Sequence, residues 1–125
     1  MPGFERGKTY SRTDIQRERG GVVQDYLPHA GGVVVAGCFS KDVNPHAPTV
    51  ILPGTGPEIE KWARVFARQL NSVPVFIKQR SNTWYCMGKF RCTRLADDAE
   101  TIAEHSANTA RDDVTMVLFL ERDKH

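Results

Sequence analysis

Acidic side chains are missing from the middle of this 125-residue sequence. Between Lys61 and Ala96 stand eight Lys or Arg and no Asp or Glu, while residues 1–60 carry six basic against seven acidic groups and residues 97–125 three against eight. The net charge of +2 conceals this segregation. An acid-free segment points to a surface that faces a polyanion; the alternative is a solvated face that happens to lack acids. Cysteine is also scarce: Cys38, Cys86 and Cys92 are odd in number, which excludes a fully paired disulfide framework and predicts packed, reduced thiols in an intracellular protein, in cytoplasm or nucleus. No Cys-x-x-Cys pair is present and His29, His46 and His105 do not cluster with the thiols, so no metal or other cofactor is expected. No apolar run approaches the ~20 residues that span a membrane, and no signal-peptide pattern follows Met1. Internal repeats, low-complexity tracts and linkers are absent too. Residues 1–125 therefore read as a single domain with 40% hydrophobic residues, enough for a core.

What is present can be taken in chain order. Ser11 is a good N-cap, and Asp14 three residues on favours the start of a short helix over Arg12–Arg19, stopped by Gly20-Gly21. Arg12, Arg17 and Arg19 on it can meet phosphate or simply face water. Gln24, Tyr26 and His29 are candidate contacts, although Tyr26 and Leu27 before Pro28 also suit a core. Pro57 fits the first position of a second helix, whose Ile59, Trp62, Ala63, Phe66 and Leu70 follow helical spacing as a buried stripe, with Lys61, Arg64 and Arg68 on a separate basic stripe. Val73 to Gln79 reads as a strand and Arg80-Ser81-Asn82 as a connection into a returning strand, Thr83 to Met87. Gly88 marks a bulge, after which Lys89 to Leu95 continues the strand with Phe90 and Cys92 on one face and Lys89, Arg91 and Thr93 on the other. Trp84 and Tyr85 fall on opposite faces, so one is core and the other is free to stack or to cover the end of the sheet. Asp97 or Asp98 caps a third helix, Ala99 to Ala110, Val114 to Leu120 is a buried strand, and Glu121 to His125 a frayed tail.

The chain is organised around Val33 to Gly56. Val33-Val34-Val35-Ala36-Gly37-Cys38-Phe39 suits a buried strand that something approaches closely at Gly37. Ser40 to Pro48 is a polar loop holding Asp42, Thr49 to Leu52 is again strand-like, and Pro53-Gly54-Thr55-Gly56 breaks into the second helix. The glycine turn invites a phosphate-loop reading, but it lacks the expected lysine, and Glu58 and Glu60 would repel a phosphate.

These residues resemble the SRA domain, the SET- and RING-associated family that reads modified cytosine in DNA. The family's motif runs strand, Ala-Gly-Gly-Tyr, two acids, a loop, strand, then Thr-Gly-x-Gly. Ala36-Gly37-Cys38-Phe39, Asp42 and Gly54-Thr55-Gly56 follow that course. Pro74-Val75-Phe76-Ile77-Lys78, Trp84-Tyr85-Cys86-Met87-Gly88-Lys89-Phe90-Arg91-Cys92 and Val117 to Arg122 are similar to later family strands. The resemblance implies an α+β fold, a PUA-like, SRA-like twisted β-barrel of about six strands with two to three flanking helices. It implies a non-catalytic domain that binds double-stranded DNA and flips a modified base, 5-methyl- or 5-hydroxymethylcytosine, into a pocket. By position Phe39 is the stacking aromatic and Asp42 the acceptor for the cytosine amino group, a pairing that direct readout also favours. The second stacking tyrosine of the family falls at Ile51 or Leu52, which leaves an aliphatic wall. Trp84 and Tyr85 complete the expected base contacts, and Arg12, Lys41, Lys78, Arg80, Lys89 and Arg91 the contacts to phosphates. Compact microbial relatives often accompany nuclease domains, which makes a nuclease a partner to look for, although no nuclease motif is visible here.

Two further classes compete. A PUA-like module can bind RNA, with Trp84 or Tyr85 stacking an unpaired base. A small enzyme acting on nucleic acid would use Asp42, His46 or Cys38, and would need an Asp–His hydrogen bond facing a deep cavity.

Overall fold

The computed structural model describes residues 3–123; the end of the expected tail, Lys124 and His125, lies outside them. Eleven elements follow in the order β1 (Thr9–Tyr10), α1 (Arg12–Arg19), β2 (His29–Ala30), β3 (Val33–Val34), β4 (Gly37–Phe39), β5 (Val50–Ile51), α2 (Pro57–Arg68), β6 (Val73–Arg80), β7 (Thr83–Ala96), α3 (Ala99–Ser106) and β8 (Val117–Arg122). The main sheet has six strands, ordered β4-β6-β7-β8-β5, with β1 added to β7. All pairs are antiparallel except β4 and β6. Their parallel pairing requires the long crossover through β5 and α2, and that crossover brings the β4–β5 loop, β5 and the start of α2 together.

The expected strand over Val33 to Phe39 is two short strands instead. Val34 is tied on both sides by the Gln69 side chain, which accepts from its N–H and donates to its carbonyl, each at 2.9 Å. Val35 N–H donates to Pro28 C=O and Arg19 Nε to Val35 C=O, so the backbone between Val34 and Gly37 satisfies its polar groups outside the main sheet. Gly37 does face a close approach, and the approaching group is the Phe39 ring. A Cβ on Gly37 would lie 2.8 Å from Phe39 Cζ.

The Gly88 bulge determines which residues become core. Val75 pairs with Gly88 but Phe76 pairs with Cys86, leaving Met87 as an extra residue in β7. An inserted residue reverses the alternation of faces. Trp84 and Cys86 accordingly enter one cluster with Ile15, Cys38 and Phe76. Phe90 and Cys92, of the same parity, enter the other with Phe39, Ile51, Phe66, Val75 and Leu118. Gly88 has φ +109°, a conformation that side chains rarely adopt.

The helix ends are largely as the residue pattern predicts. Ser11 Oγ accepts from Asp14 N–H at 3.0 Å and Asp14 Oδ2 accepts from Ser11 N–H at 3.1 Å, a reciprocal capping box. Asp98, not Asp97, caps α3 through Thr101 N–H. That helix stops at Ser106, and β8 extends through Arg122 into the supposed tail. In α2 the buried positions are Ala63 and Phe66; Leu70 lies beyond its end and is 84% exposed, outside the expected stripe.

Candidate functional site

The segments that the crossover gathers enclose a cavity of about 420 Å³. Tyr26 and neighbouring Gln24 and Asp25 form one side, Val43 and Asn44 of the β4–β5 loop another, and Leu52-Pro53-Gly54 with Ile59 of α2 a third. Arg111 and Asp113 enter from the irregular segment between α3 and β8.

Cross-bracing holds these walls. Asn44 is a buried polar residue, 6% exposed, and its Oδ1 accepts from Leu52 N–H at 2.7 Å, fixing the loop to the end of β5. Arg111 Nη1 donates to the carbonyls of Leu52 at 2.6 Å and Val43 at 3.2 Å, and Arg111 Nε donates to Asp113 Oδ1 at 3.0 Å. Thr115 N–H donates to Pro53 C=O and Thr55 Oγ1 to Asp113 C=O, so residues 111–115 are stitched along the Pro53–Thr55 turn. Gly54 is needed for this contact. A Cβ there would sit 2.5 Å from Asp113 Oδ2 and 3.1 Å from Arg111 Nη2. A donor and an acceptor therefore lie side by side over Gly54 at the cavity wall. The Arg111 hydrogen bond holds the Asp113 carboxyl below its ordinary value, so it is ionised at neutral pH.

Tyr26 is the aromatic wall. Its hydroxyl donates to Ile59 C=O at 2.8 Å, and burial first, then the nearby Glu60 charge, pushes its ionisation well above the usual phenol value. The same residue borders a second, smaller cleft in which His29 stacks on Trp62 with ring centroids 3.6 Å apart. Gln24 and Tyr26 thus line the main cavity and His29 the adjacent one.

The residues expected from the sequence do not all meet here. Leu52 does line the cavity, while Ile51 beside it is fully buried in the core. Phe39 is a correction: at 1% exposure, with its ring folded over Gly37 and edge-on to Tyr26, it has no face to offer a base. Trp84 is likewise core, 8% exposed, because the Gly88 bulge turns its side of β7 inward. Tyr85 is half-buried on the opposite side. Asp42 stands exposed beside Val43, and its N–H donates to Ser40 Oγ; it does not line the cavity. His46 is exposed on the same loop and makes no ion pair among the described residues, so the Asp–His arrangement required for acid–base chemistry is not formed.

Of the cations expected at phosphates, Lys41, Lys78, Arg80, Lys89 and Arg91 are exposed. Arg12 is not available in the same way. Its Nη2 donates to the carbonyls of Val22 and Asp25 at 3.1 Å each, and its guanidinium lies 5.3 Å from the Trp84 ring centroid. It braces the segment that carries Tyr26. The thiols are free and buried, and burial pushes Cys38 up to about 12, which removes it as a nucleophile.

Arg111 and Asp113 escaped sequence reasoning because they sit in an acidic, irregular stretch with no motif, 59 and 58 residues from their partners Leu52 and Thr55. Tyr26 was visible as a contact, but nothing local distinguished a cavity wall from a core residue.

No family model matches the chain, and no curated protein matches it in sequence. Among solved structures it is similar to the SRA domain of SUVH5, described in complex with hemimethylated CG DNA. The TM-score is 0.59 and the identity 13%, over 100% of this chain and 92% of that one. At that identity the likeness establishes the fold, an SRA-like α+β fold with a six-stranded mixed sheet and three helices.

Proposed function

We propose that this chain binds double-stranded DNA and reads a modified base, with 5-methyl- and 5-hydroxymethylcytosine as the leading ligands, by taking the flipped base into the Tyr26–Leu52–Arg111 cavity. The observation that carries the reading is the cavity itself. It has an aromatic and an aliphatic wall, and beside Gly54 it sets a guanidinium donor next to a carboxylate acceptor. The cytosine Watson–Crick edge offers the complementary pattern, an amino donor next to ring and carbonyl acceptors. Flipping costs a few kcal/mol, which stacking on Tyr26 and a satisfied base edge would offset. That SUVH5's SRA domain is described with hemimethylated DNA supports the nucleic-acid class. Exposed Lys78, Arg80, Lys89 and Arg91 supply charge for backbone contacts, and such contacts make binding salt-dependent.

In this reading Asp113 takes the amino-group role that position alone had assigned to Asp42. Fluorescence anisotropy with duplexes carrying cytosine, 5-methylcytosine or 5-hydroxymethylcytosine separates the two. The amino group is common to all three bases, so Asp113→Asn should weaken binding of the duplex whose base is flipped, the modified one, by about tenfold or more and the preference with it, and Asp42→Ala should leave most of both. Equal affinity for all duplexes in the unsubstituted chain, or preference lost only with Asp42→Ala, refutes the assignment. A structured RNA included as competitor tests the RNA-binding alternative, which now rests on Tyr85 because Trp84 is buried.

A further inference from the structure

A third cleft, of about 270 Å³, opens between the N-terminal segment, the end of α1 and the middle of the sheet. Phe4, Pro74 and Gly88 give it an apolar floor, and Arg6, Arg19, Lys89 and Arg122 line it with positive charge. The Phe4 ring is held in place edge-on to Tyr10 and Phe76, with centroids 4.7 and 5.0 Å away.

The arginines are brought together deliberately by the backbone. A Cβ on Gly88 would meet Arg122 Cδ at 3.4 Å and Arg6 Cδ at 3.5 Å. The two Cδ atoms are therefore no farther apart than the sum of those distances, one stem coming from the N-terminal segment and the other from the end of β8. The bulge at Gly88 creates the gap into which both stems lie.

Charges of like sign are costly to gather unless something compensates them. No ion pair among the described residues involves Arg6, Lys89 or Arg122. Two carboxylates also line the cleft. Asp123 accepts from Ser72 Oγ at 3.1 Å and has a further interaction as well, while Glu18 stands at the α1 wall. Four cations thus face two carboxylates, and Arg19 among them is anchored through Nε to Val35 C=O at 3.0 Å.

We propose that the Gly88 cleft is an anion site that takes a phosphate group. Converging guanidinium groups match phosphate oxygens in fork geometry, which a single lysine cannot do. The phosphate arrives either on a nucleotide, whose base would lie on the Phe4–Pro74 floor, or within a nucleic-acid strand. The site is separate from the base cavity. The chain runs from Thr115, bonded to Pro53 there, through β8 to Arg122 here, on the order of 20 Å of largely extended chain. It does not depend on any base being read.

The test is an amide-resolved NMR titration of the full chain at constant ionic strength, with sodium phosphate, a deoxynucleoside 5′-monophosphate or an unmodified duplex as titrant and sodium chloride as control. Phosphate should give saturable shifts at Gly88, Lys89 and Arg122, weakened about tenfold by Arg6→Gln or Arg122→Gln and unchanged by Arg68→Gln, a change on the exposed side of α2 away from both sites. Thermal melts check that each variant is folded. A monophosphate binding at least tenfold more tightly than phosphate identifies a nucleotide ligand; shifts by duplex with no such gain identify a strand. Non-saturating shifts, equal shifts with chloride, or both arginine variants binding like the parent overturn the proposal. A failure of base discrimination leaves all these readouts intact, so the two readings fail separately.

Discussion

Replacing Arg111 by alanine tests whether one side chain assembles the cavity. Its guanidinium makes three bonds, to Leu52 C=O at 2.6 Å, Val43 C=O at 3.2 Å and Asp113 Oδ1 at 3.0 Å. They are not equal. Leu52 is 2% exposed, so its carbonyl would lose a charge-assisted bond in a site water enters poorly, which costs about 1.5–3 kcal/mol. Val43 is exposed, and water replaces its bond at a cost of roughly 0.5 kcal/mol. The Asp113 pair has side chains 16% and 51% exposed, and screening reduces it to about 0.2–1 kcal/mol. Together they amount to roughly 2–4.5 kcal/mol. For a domain of this size that lowers the melting temperature by roughly 6–15 °C. Urea melts of the parent, Arg111→Ala and Arg111→Lys measure it directly. The lysine variant should recover less than half, because an ammonium cannot serve all three acceptors from one position. A loss below about 0.5 kcal/mol in the alanine variant would refute the bracing argument, and full recovery by lysine would show that charge rather than fork geometry matters.

Three further outcomes follow from the same structure. Phe39→Ala should destabilise the fold by about 3–5 kcal/mol, the range for a fully buried aromatic, whereas a base-stacking Phe39 would cost affinity with little stability; paired melts and binding curves distinguish them. Asp14, held low by its Ser11 bonds, and Asp113, held low by Arg111, have folded-state values below the ordinary 3.8. The unfolded chain then binds more protons, so their stabilisation is complete above the ordinary carboxyl range and is lost as pH falls through the depressed values. Urea midpoints should fall below about pH 4, less steeply in Asp14→Asn than in the parent. Cys38, Cys86 and Cys92 are buried with ionisation raised by burial, so a thiol-specific disulfide reagent should label none of them at pH 7.5 in the native chain and all three in urea; rapid native labelling would contradict their placement.

The fold was legible because its signals are local. Ser11 and Asp14 can cap only a helix that starts between them, Gly20 has a backbone conformation suited to ending it, the unbroken apolar run Val73–Ile77 suits a strand buried on both faces, and the alternation over Lys89–Thr93 a strand with one buried side. The order of these signals, read with the Ala36–Phe39 and Gly54–Gly56 motifs, sufficed to expect an SRA-like α+β fold. The basic character of β6 and β7 was equally plain, since charge is a property of each residue and needs no partner.

The site was not legible in the same way. Motif position nominated Phe39, but its place two residues after Gly37 on one face of β4 leaves the ring no room except in the core. Trp84 and Phe90 share parity along β7 yet enter different clusters, and only the extra residue at the bulge accounts for that. Arg111 and Asp113 reach the cavity because the parallel β4–β6 pairing forces a crossover whose turn they then bind. By itself the sequence determined which segments are helix or strand, where the positive charge lies and which fold they compose, all set within a few residues of chain. Which aromatic lines the cavity, which carboxylate faces it and which arginines converge over Gly88 were decided by tertiary packing, because each depends on groups brought together from distant segments.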